Sequence, residues 1–442
     1  MPLVKASAVS GFPEWTPAMR LAELRLIDAI RNQYELYGFT SIETPAVERM
    51  SVLTAKGGIR HQVFTVGRPS DDDGEDAVLG LHFDLTVPLA RYVVQHAEEL
   101  AFPFRRYQIQ KVWRGERAQR GRFREFTQCD IDIVGRSALD LVHDAEILAV
   151  IAAVFDAVEI PGFEIRISNR KILGDLLGSR ALPPDLVAEA LRCVDRSGRD
   201  GLEAVRSAMT ELTVPHDLVE ATVELLGTGD LAEARRLLRH VGAVTRGVDE
   251  LELVVDSALQ LGLPSERLRI DFSIARGLDY YTGTVYETFI VGNEAWGSVC
   301  SGGRYDDLAS YFTTRSYPGV GVSIGLTRLV DLLVQAGHLA VGASTPTAAL
   351  VTTQNRHQFM KDYLGLARTL RAAKIPTEVY LEPAALRDQI AYASSQGIRA
   401  AIIAGERELE NDVVTVRDLR DHVQETVTGD ALADHIKNLL AY

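Results

Sequence analysis

The 442-residue sequence predicts an α+β fold built in more than one part, on three observations. Residues 104–134 read as two long strands joined by a short basic turn, followed by a core helix over 138–158. Residues 171–262 form a succession of short helix-like runs rich in Leu, Ala, Glu and Arg, read as an inserted helical subdomain. Beyond residue 346 strands and helices alternate, the pattern of a small α/β domain with a mostly parallel sheet. At roughly 100–200 residues per domain, this length fits two to four domains.

The elements follow in chain order. Residues 18–37 read as an amphipathic helix with Leu21, Leu24, Ile27 and Ile30 at helical spacing, stopped by Gly38. A strand over 39–42 ends before Pro45. Residues 68–77 hold five acids, Asp71, Asp72, Asp73, Glu75 and Asp76, and read as a solvated hairpin tip. Within the inserted region, helices are expected at 185–194, 201–211, 218–226, 231–241 and 248–261. Strands return at 268–274, 285–291 and 319–323. The small-residue run GHLAVGASTP, 337–346, reads as a linker. After it come strands at 348–352, 377–380 and 400–404, with helices at 359–373 and 386–396. The expected division is a first domain over 1–336, the linker 337–346, and a second domain over 347–442.

Composition excludes several classes. Forty-six per cent hydrophobic and 24 % charged residues rule out an overall disordered, collagen-like or coiled-coil chain. A net charge of −14 argues against blanket nucleic-acid binding while leaving room for a local basic groove. Cys129, Cys193 and Cys300 lie far apart and odd in number, which fits a reducing cytosol. The histidines show no ligand spacing, so no structural zinc is expected. The N-terminus lacks a signal-peptide core, and the most apolar run, 147–158, is broken by Asp156 and too short to span a bilayer. A soluble cytoplasmic protein with no membrane partner is expected.

Five segments carry chemistry. The strongest is RRYQIQKVWRGERAQRGRFREFTQCDIDIVG, 105–135, whose first twenty residues hold eight basic residues against the single acid Glu116. A merely solvated hairpin would mix charge signs more freely. Arginine presents a bidentate fork to oxyanions, so this density suits phosphate. Along the returning strand, period-two alternation puts Arg122, Arg124, Phe126, Gln128, Asp130 and Asp132 on one face and the more apolar Cys129, Ile131 and Ile133 on the other. Cations at one end and acids at the other suit a zwitterion beside a polyphosphate. In HFDLTVPLARYV, 82–93, Asp84 and Thr86 stand at the start of a probable helix, where capping is the plain alternative. ARGLDYYTGTVYE, 275–287, places an Arg-Gly turn and paired tyrosines after a strand. CSGGRYDDL, 300–308, lets backbone approach a ligand through paired glycines. PGVGVSIGLTRL, 318–329, is a glycine-spaced strand entering a helix that carries Arg328. There is no P-loop, and no GxGxxG follows a strand.

Together these segments resemble the class II aminoacyl-tRNA synthetases, and within them the histidyl family. The basic hairpin resembles motif 2, PGVGVSIGLTRL motif 3, and the helix–strand–proline of 18–45 motif 1; RGLDYYTG and SGGRYD are similar to the two histidyl signatures. The resemblance implies an antiparallel sheet flanked by helices, a C-terminal anticodon-binding domain and a homodimer formed through motif 1. It implies substrates: ATP with Mg²⁺, L-histidine and tRNA(His), with no prosthetic group and no metal site of the protein's own. Asp84, Leu85, Thr86 and Gln128 fall with the histidine-binding set, with Asp84, Thr86 and Gln128 around the α-amino group. Asp132 and Tyr281 resemble the pair that reads the imidazole, with Tyr280 beside them. Arg114 resembles the arginine on the α-phosphate, Glu116 and Arg122 lie near the nucleotide, and Arg328 resembles the arginine on the γ-phosphate. Arg276 resembles the arginine facing both the histidine carboxylate and the α-phosphate, which makes Arg276 and Arg114 the expected catalytic pair.

Three positions depart from the family pattern. SGFPEWTP, with Glu14, stands where an Arg-Gly-Thr/Phe-x-Asp run is usual; Thr327 replaces an acid before Arg328; and Asp84 stands where many bacterial members have Glu. The implied activity is formation of histidyl-adenylate from ATP and histidine, then transfer to tRNA with release of AMP. The alternative is a non-catalytic, histidine-sensing regulatory paralogue of a phosphoribosyltransferase. Such paralogues typically lose the tail and erode motif 2, and this chain keeps both.

Overall fold

The basic hairpin forms as expected and lies inside an eight-stranded sheet. A computed structural model describes residues 3, 5–55, 60–68, 78–274 and 281–441. The strands are β1 (Thr40–Ser41), β2 (Phe104–Trp113), β3 (Glu125–Val134), β4 (Phe163–Asn169), β5 (Leu268–Ile270), β6 (Thr284–Ile290), β7 (Cys300–Tyr305) and β8 (Gly319–Gly325). They are ordered β1-β2-β3-β8-β7-β6-β4-β5. The six central strands are antiparallel, and β1 and β5 add to the two edges in parallel. A second, three-stranded sheet is made by Val47–Arg49, Leu79–Leu81 and Thr65–Val66. The acidic 68–77 tip lies outside the described residues except for Arg68.

Four helices matter for the site: α1 (Pro17–Leu36), α2 (Thr86–Gln95), α3 (Val142–Ala157) and α4 (Leu326–Gln335). The buried stripe of α1 is Ala22, Leu26, Ile30 and Tyr34, while Leu24 stays 38 % exposed. The apolar phase is therefore offset from the one read in the sequence. The Tyr34 hydroxyl donates to the Cys129 carbonyl of β3 at 3.1 Å. Helix α3 starts at Val142 rather than 138, because Ser137 takes a left-handed φ of 70° and the Asp140 carboxylate accepts from the Val142 N–H at 2.9 Å. Its Ile147, Leu148, Val150 and Val154 are fully buried.

Strand β5 ends at Ile270, four residues short of expectation, because the Asp271 carboxylate turns the chain by accepting from the Ser273 N–H at 3.0 Å. The glycine-rich 300–305 segment, read for close backbone approach to a ligand and not assigned to a strand, is a central strand, and β4 was not anticipated.

The inserted region is helical throughout, with its helices at Arg170–Gly178, Pro184–Asp195, Ser197–Asp200, Leu202–Glu211, His216–Gly227, Leu231–His240 and Arg246–Gln260. Glu250 fixes it to the sheet: its carboxylate takes Lys171 Nζ at 2.7 Å, Asn169 Nδ2 of β4 at 3.1 Å and Arg246 Nε at 2.9 Å.

A buried ion pair fastens α3 to β7. Arg304 reaches Asp144 at 2.6 Å and also donates to the carbonyls of Leu139 and Asp140. Removing one partner strands the other charge in the core, so Asp144→Ala should cost about 3–5 kcal/mol of stability. Urea unfolding checks this; a loss below about 1 kcal/mol would show that the pair is dispensable.

By contacts the chain divides into two compact units, Met1–Pro13 with Leu26–His338 and Glu14–Arg25 with Leu339–Tyr442. The sheet of the second unit is ordered Thr377–Val379, Ala349–Val351, Ala400–Ile403, Val413–Asp418, Gln424–Thr428. Its first three strands are parallel; the last two, absent from the sequence reading, are antiparallel and make the sheet mixed. Tyr363, Ala367, Leu370, Leu432 and Ile436 fill its core. No helix among the described residues is long and apolar enough to cross a membrane.

Candidate active site

The sheet register builds the site. In antiparallel pairing, directly opposed residues share a face. Asp132 stands between Arg106 and Gly321, Asp130 between Gln108 and Ser323, and Gln128 between Gln110 and Gly325. One polar row therefore runs along β3, as alternation predicted. It is not a solvated face, however: Gln128, Asp130 and Asp132 are all buried and form the wall of a deep cavity.

That cavity is about 230 Å³, and six of the expected residues line it: Asp84, Thr86, Arg114, Gln128, Asp132 and Tyr281. Asp84 also caps α2, accepting from the Val87 N–H at 2.9 Å, so the plain reading of this residue holds alongside the binding one. Leu85 is fully buried and lines neither this cavity nor the next. Tyr281 is placed by its neighbour Thr282, whose hydroxyl donates to Asp306 at 2.6 Å and whose N–H donates to the Arg304 carbonyl at 2.8 Å. Arg276 and Tyr280 lie outside the described residues.

The deep end is an acid pair with one buried cation. Arg106, fully buried, brings a guanidinium nitrogen to 2.6 Å from Asp132 Oδ2. The Tyr305 hydroxyl donates to Asp132 Oδ1 at 2.7 Å. Tyr305 reaches there across Gly319, where a Cβ would come within 2.3 Å of its ring. Burial pushes the Asp132 carboxyl up to about 6 and Asp130 to about 7, with Arg106 acting in the opposite sense on both. Asp130 Oδ1 and Gln128 Oε1 are buried acceptors with no hydrogen-bond partner among the described residues, ready for a cationic donor.

Both carboxyls hold their protons more tightly folded than unfolded. Their contribution to stability is therefore complete below about pH 4 and is lost as pH rises to 6 and 7. Asp130→Asn should be more stable relative to wild type at pH 8 than at pH 5. Urea midpoints at the two values test this, and a constant difference would refute it.

A second cavity, about 250 Å³, continues from the first along Arg114, Glu116, Gly121, Arg122, Phe126, Gln128 and Arg328. Arg114, Gln128, Ser301 and Ser323 line both. The Arg114 guanidinium lies 4.5 Å from the Phe83 ring centroid and 5.0 Å from that of Phe126, and Nε donates to the Phe83 carbonyl at 3.3 Å. Arg328 is held by the carbonyls of Ser298, at 2.8 Å, and Trp296; no carboxylate pairs with it among the described residues, and burial lowers its pKa. A half-buried cation held by backbone carbonyls, with the Glu287 charge acting on it, suits an anionic ligand. Thr327 faces elsewhere: its hydroxyl accepts from the Thr127 N–H of β3 at 2.9 Å, a structural role that removes it from the cavity wall.

Sequence reasoning missed Arg106, Asp130, Tyr305, Ser301, Ser323 and Glu287 as site residues. Alternation already placed Asp130 on the polar face, and Tyr305 stood inside a quoted signature. Arg106 carried no such signal, because only the β2–β3 register sets it opposite Asp132.

Comparison with known proteins agrees with this geometry. The family model described as "Histidyl-tRNA synthetase" matches residues 11–329, and that described as "Anticodon binding domain" matches 347–439. The histidine–tRNA ligase of Xanthomonas campestris pv. campestris (strain 8004) is 42 % identical over 461 residues, spanning 98 % of this chain and 96 % of the relative. That of Thermobifida fusca (strain YX) is 43 % identical over 404 residues, 90 % of this chain and 91 % of the relative. The crystal structure of histidyl-tRNA synthetase from Nostoc sp. PCC 7120 superposes with a TM-score of 0.89 at 38 % identity, covering 99 % of this chain and 100 % of the other. A Bacillus halodurans chain described as an ATP phosphoribosyltransferase regulatory subunit/histidyl-tRNA synthetase shares the fold alone, with a TM-score of 0.74 at 23 % identity over 91 % of this chain and 98 % of the other. With both cavities on one sheet face and the match running almost end to end, this chain belongs to the histidyl-tRNA synthetase family.

Proposed function

We propose that this chain is a histidine–tRNA ligase that activates L-histidine with ATP and transfers it to tRNA(His), releasing AMP and pyrophosphate. The observation that carries this is the junction of the two cavities at Arg114. A histidine carboxylate in the first and a triphosphate in the second would meet there. The first cavity has the chemistry of a zwitterion with a polar ring. Unpartnered acceptors on Gln128 and Asp130, with Asp84 and Thr86 nearby, suit an ammonium group. Asp132 and Tyr281 suit the imidazole. Asp132 already takes Arg106 and the Tyr305 hydroxyl, so it would accept the imidazole N–H as a further donor to that network, and a side chain with no donor there would forgo that charge-assisted hydrogen bond.

In the first step a carboxylate oxygen of histidine attacks the α-phosphorus and pyrophosphate leaves. Charge grows on the α-phosphoryl oxygens, and Arg114, with Arg276 carried over from the family pattern, is assigned to stabilise it. Catalysis of this kind is mainly positioning and electrostatics. Glu116, Arg122 and Arg328 are assigned to the nucleotide, and Mg²⁺ enters with ATP as part of the substrate. In the second step the 3′-terminal ribose hydroxyl of the tRNA displaces AMP. The tail 347–442 is assigned to the anticodon and 1–336 to catalysis. The helix–strand–proline segment 18–45, where Leu36 stays 76 % exposed, is assigned to a homodimer contact. Three buried, unbridged cysteines fit a cytoplasmic location.

ATP–pyrophosphate exchange with each of the twenty amino acids tests the reading. Exchange dependent on histidine alone is expected. Histidine binding without exchange would favour the regulatory alternative, and exchange with another amino acid would overturn the substrate.

A further inference from the structure

The turn that follows β6 is not part of the family signatures, yet it touches both nucleotide-facing arginine elements. It runs from Gly292 to Ser298, with a single helical turn at Glu294–Trp296. Gly292 and Gly297 take φ of 78° and 77°, and the Gly292 N–H donates to Glu294 at 2.9 Å, so its shape is set locally. On one side the Trp296 ring carries the Arg120 guanidinium, 4.5 Å from its centroid. Arg120 lies at the tip of the basic hairpin, and its other contact is Gln335 of α4 at 2.8 Å. Gly121 lies against the same ring, where a Cβ would come within 3.1 Å. On the other side the carbonyls of Trp296 and Ser298 accept from the two terminal nitrogens of Arg328. A guanidinium held at both terminal nitrogens is fixed in its plane. Its Nε is buried, with no hydrogen-bond partner among the described residues, and lies 3.6 Å from the Cβ position of Gly121.

We propose that the Gly292–Ser298 turn is a clasp that holds the hairpin tip and Arg328 in register over the second cavity, with Trp296 as the positioning residue for a nucleoside triphosphate. Trp296 touches neither reacting atoms nor, by its place outside the cavity lining, the ligand itself. It acts through Arg328 and through the hairpin. The reasoning rests on the second cavity being the ATP site, as proposed above. Stacking of one exposed arginine on a half-buried tryptophan is a modest interaction, so the clasp tunes nucleotide affinity rather than creating it.

The test uses the full-length protein and measures MgATP Kd by calorimetry beside exchange kinetics. Trp296→Ala should weaken MgATP roughly 3- to 30-fold, the range of one cation–π contact, with the histidine KM unchanged. Trp296→Phe and Arg120→Lys should each recover most of the loss. Arg120→Ala should weaken MgATP at least as much, since it also loses the Gln335 bond, and the double variant should be no worse than the poorer single, because both break the shared Arg120–Trp296 contact. Unchanged MgATP affinity in folded Trp296→Ala, or additive losses in the double variant, would overturn the clasp. Wild-type protein that fails to bind MgATP would overturn it as well. Wild-type binding without histidine-dependent exchange would instead overturn the activity while leaving the clasp to stand on its affinities.

Discussion

Arg114→Ala should slow histidyl-adenylate formation about 10²–10³-fold at saturating substrates, the size of effect seen when a single donor to a developing oxyanion is removed. The expectation follows from place and restraint. Arg114 lines both cavities, its guanidinium is bracketed by Phe83 and Phe126, and its Nε is tied to the Phe83 carbonyl. Such a group is already oriented before the reaction and need not reorganise as charge grows. Loss of an interaction made chiefly in the transition state lowers kcat with less change in KM. Arg114→Lys should rescue poorly, since an ammonium neither stacks between two rings nor forks between two anions. Single-turnover adenylate formation on the purified variant measures the effect. A loss under threefold would remove Arg114 from the chemistry and leave it a packing residue.

Asp132→Asn should raise the histidine KM about 10- to 100-fold, the worth of one charge-assisted hydrogen bond, while leaving the ATP KM within about threefold. The variant keeps shape but loses the charge that faces Arg106 and accepts from Tyr305. It also leaves the fully buried Arg106 without its closest carboxylate. Burial already favours the uncharged form of Asp132 in the fold, so the neutral Asn is expected to be tolerated, and urea unfolding checks that the assayed variant is folded. Steady-state kinetics with each substrate varied in turn separates the two effects. Equal rises in both KM values would mean that the pocket has collapsed rather than lost a specific contact. An unchanged histidine KM would take the imidazole away from Asp132.

Much of the molecule is legible in the order of its residues. Period-two alternation from Arg122 to Asp132 sets one polar and one apolar face, and the tail's alternating elements mark a separate α/β part. The helices of the insertion fall close to their expected places, because 3.6-residue periodicity and capping are local properties of the chain. What alternation cannot supply is register. Whether Asp132 meets Arg106, whether Gly321 leaves it room, and whether Tyr305 lies across Gly319 depend on how four strands from two distant parts of the chain slide against each other. The same limit explains the glycine-rich 300–305 segment. Locally its paired glycines signal only close backbone approach, and pairing on both sides with β6 and β8 makes it a central strand. Thr327 carries the same lesson at one residue. The sequence shows a missing acid beside Arg328, while the packing of α4 on β3 turns that hydroxyl to the Thr127 backbone. Residue types and their spacing thus determined the elements and the kinds of chemistry present. Long-range pairing, with its non-local hydrogen bonds and burial, decided which charges share a cavity and how far their proton affinities move.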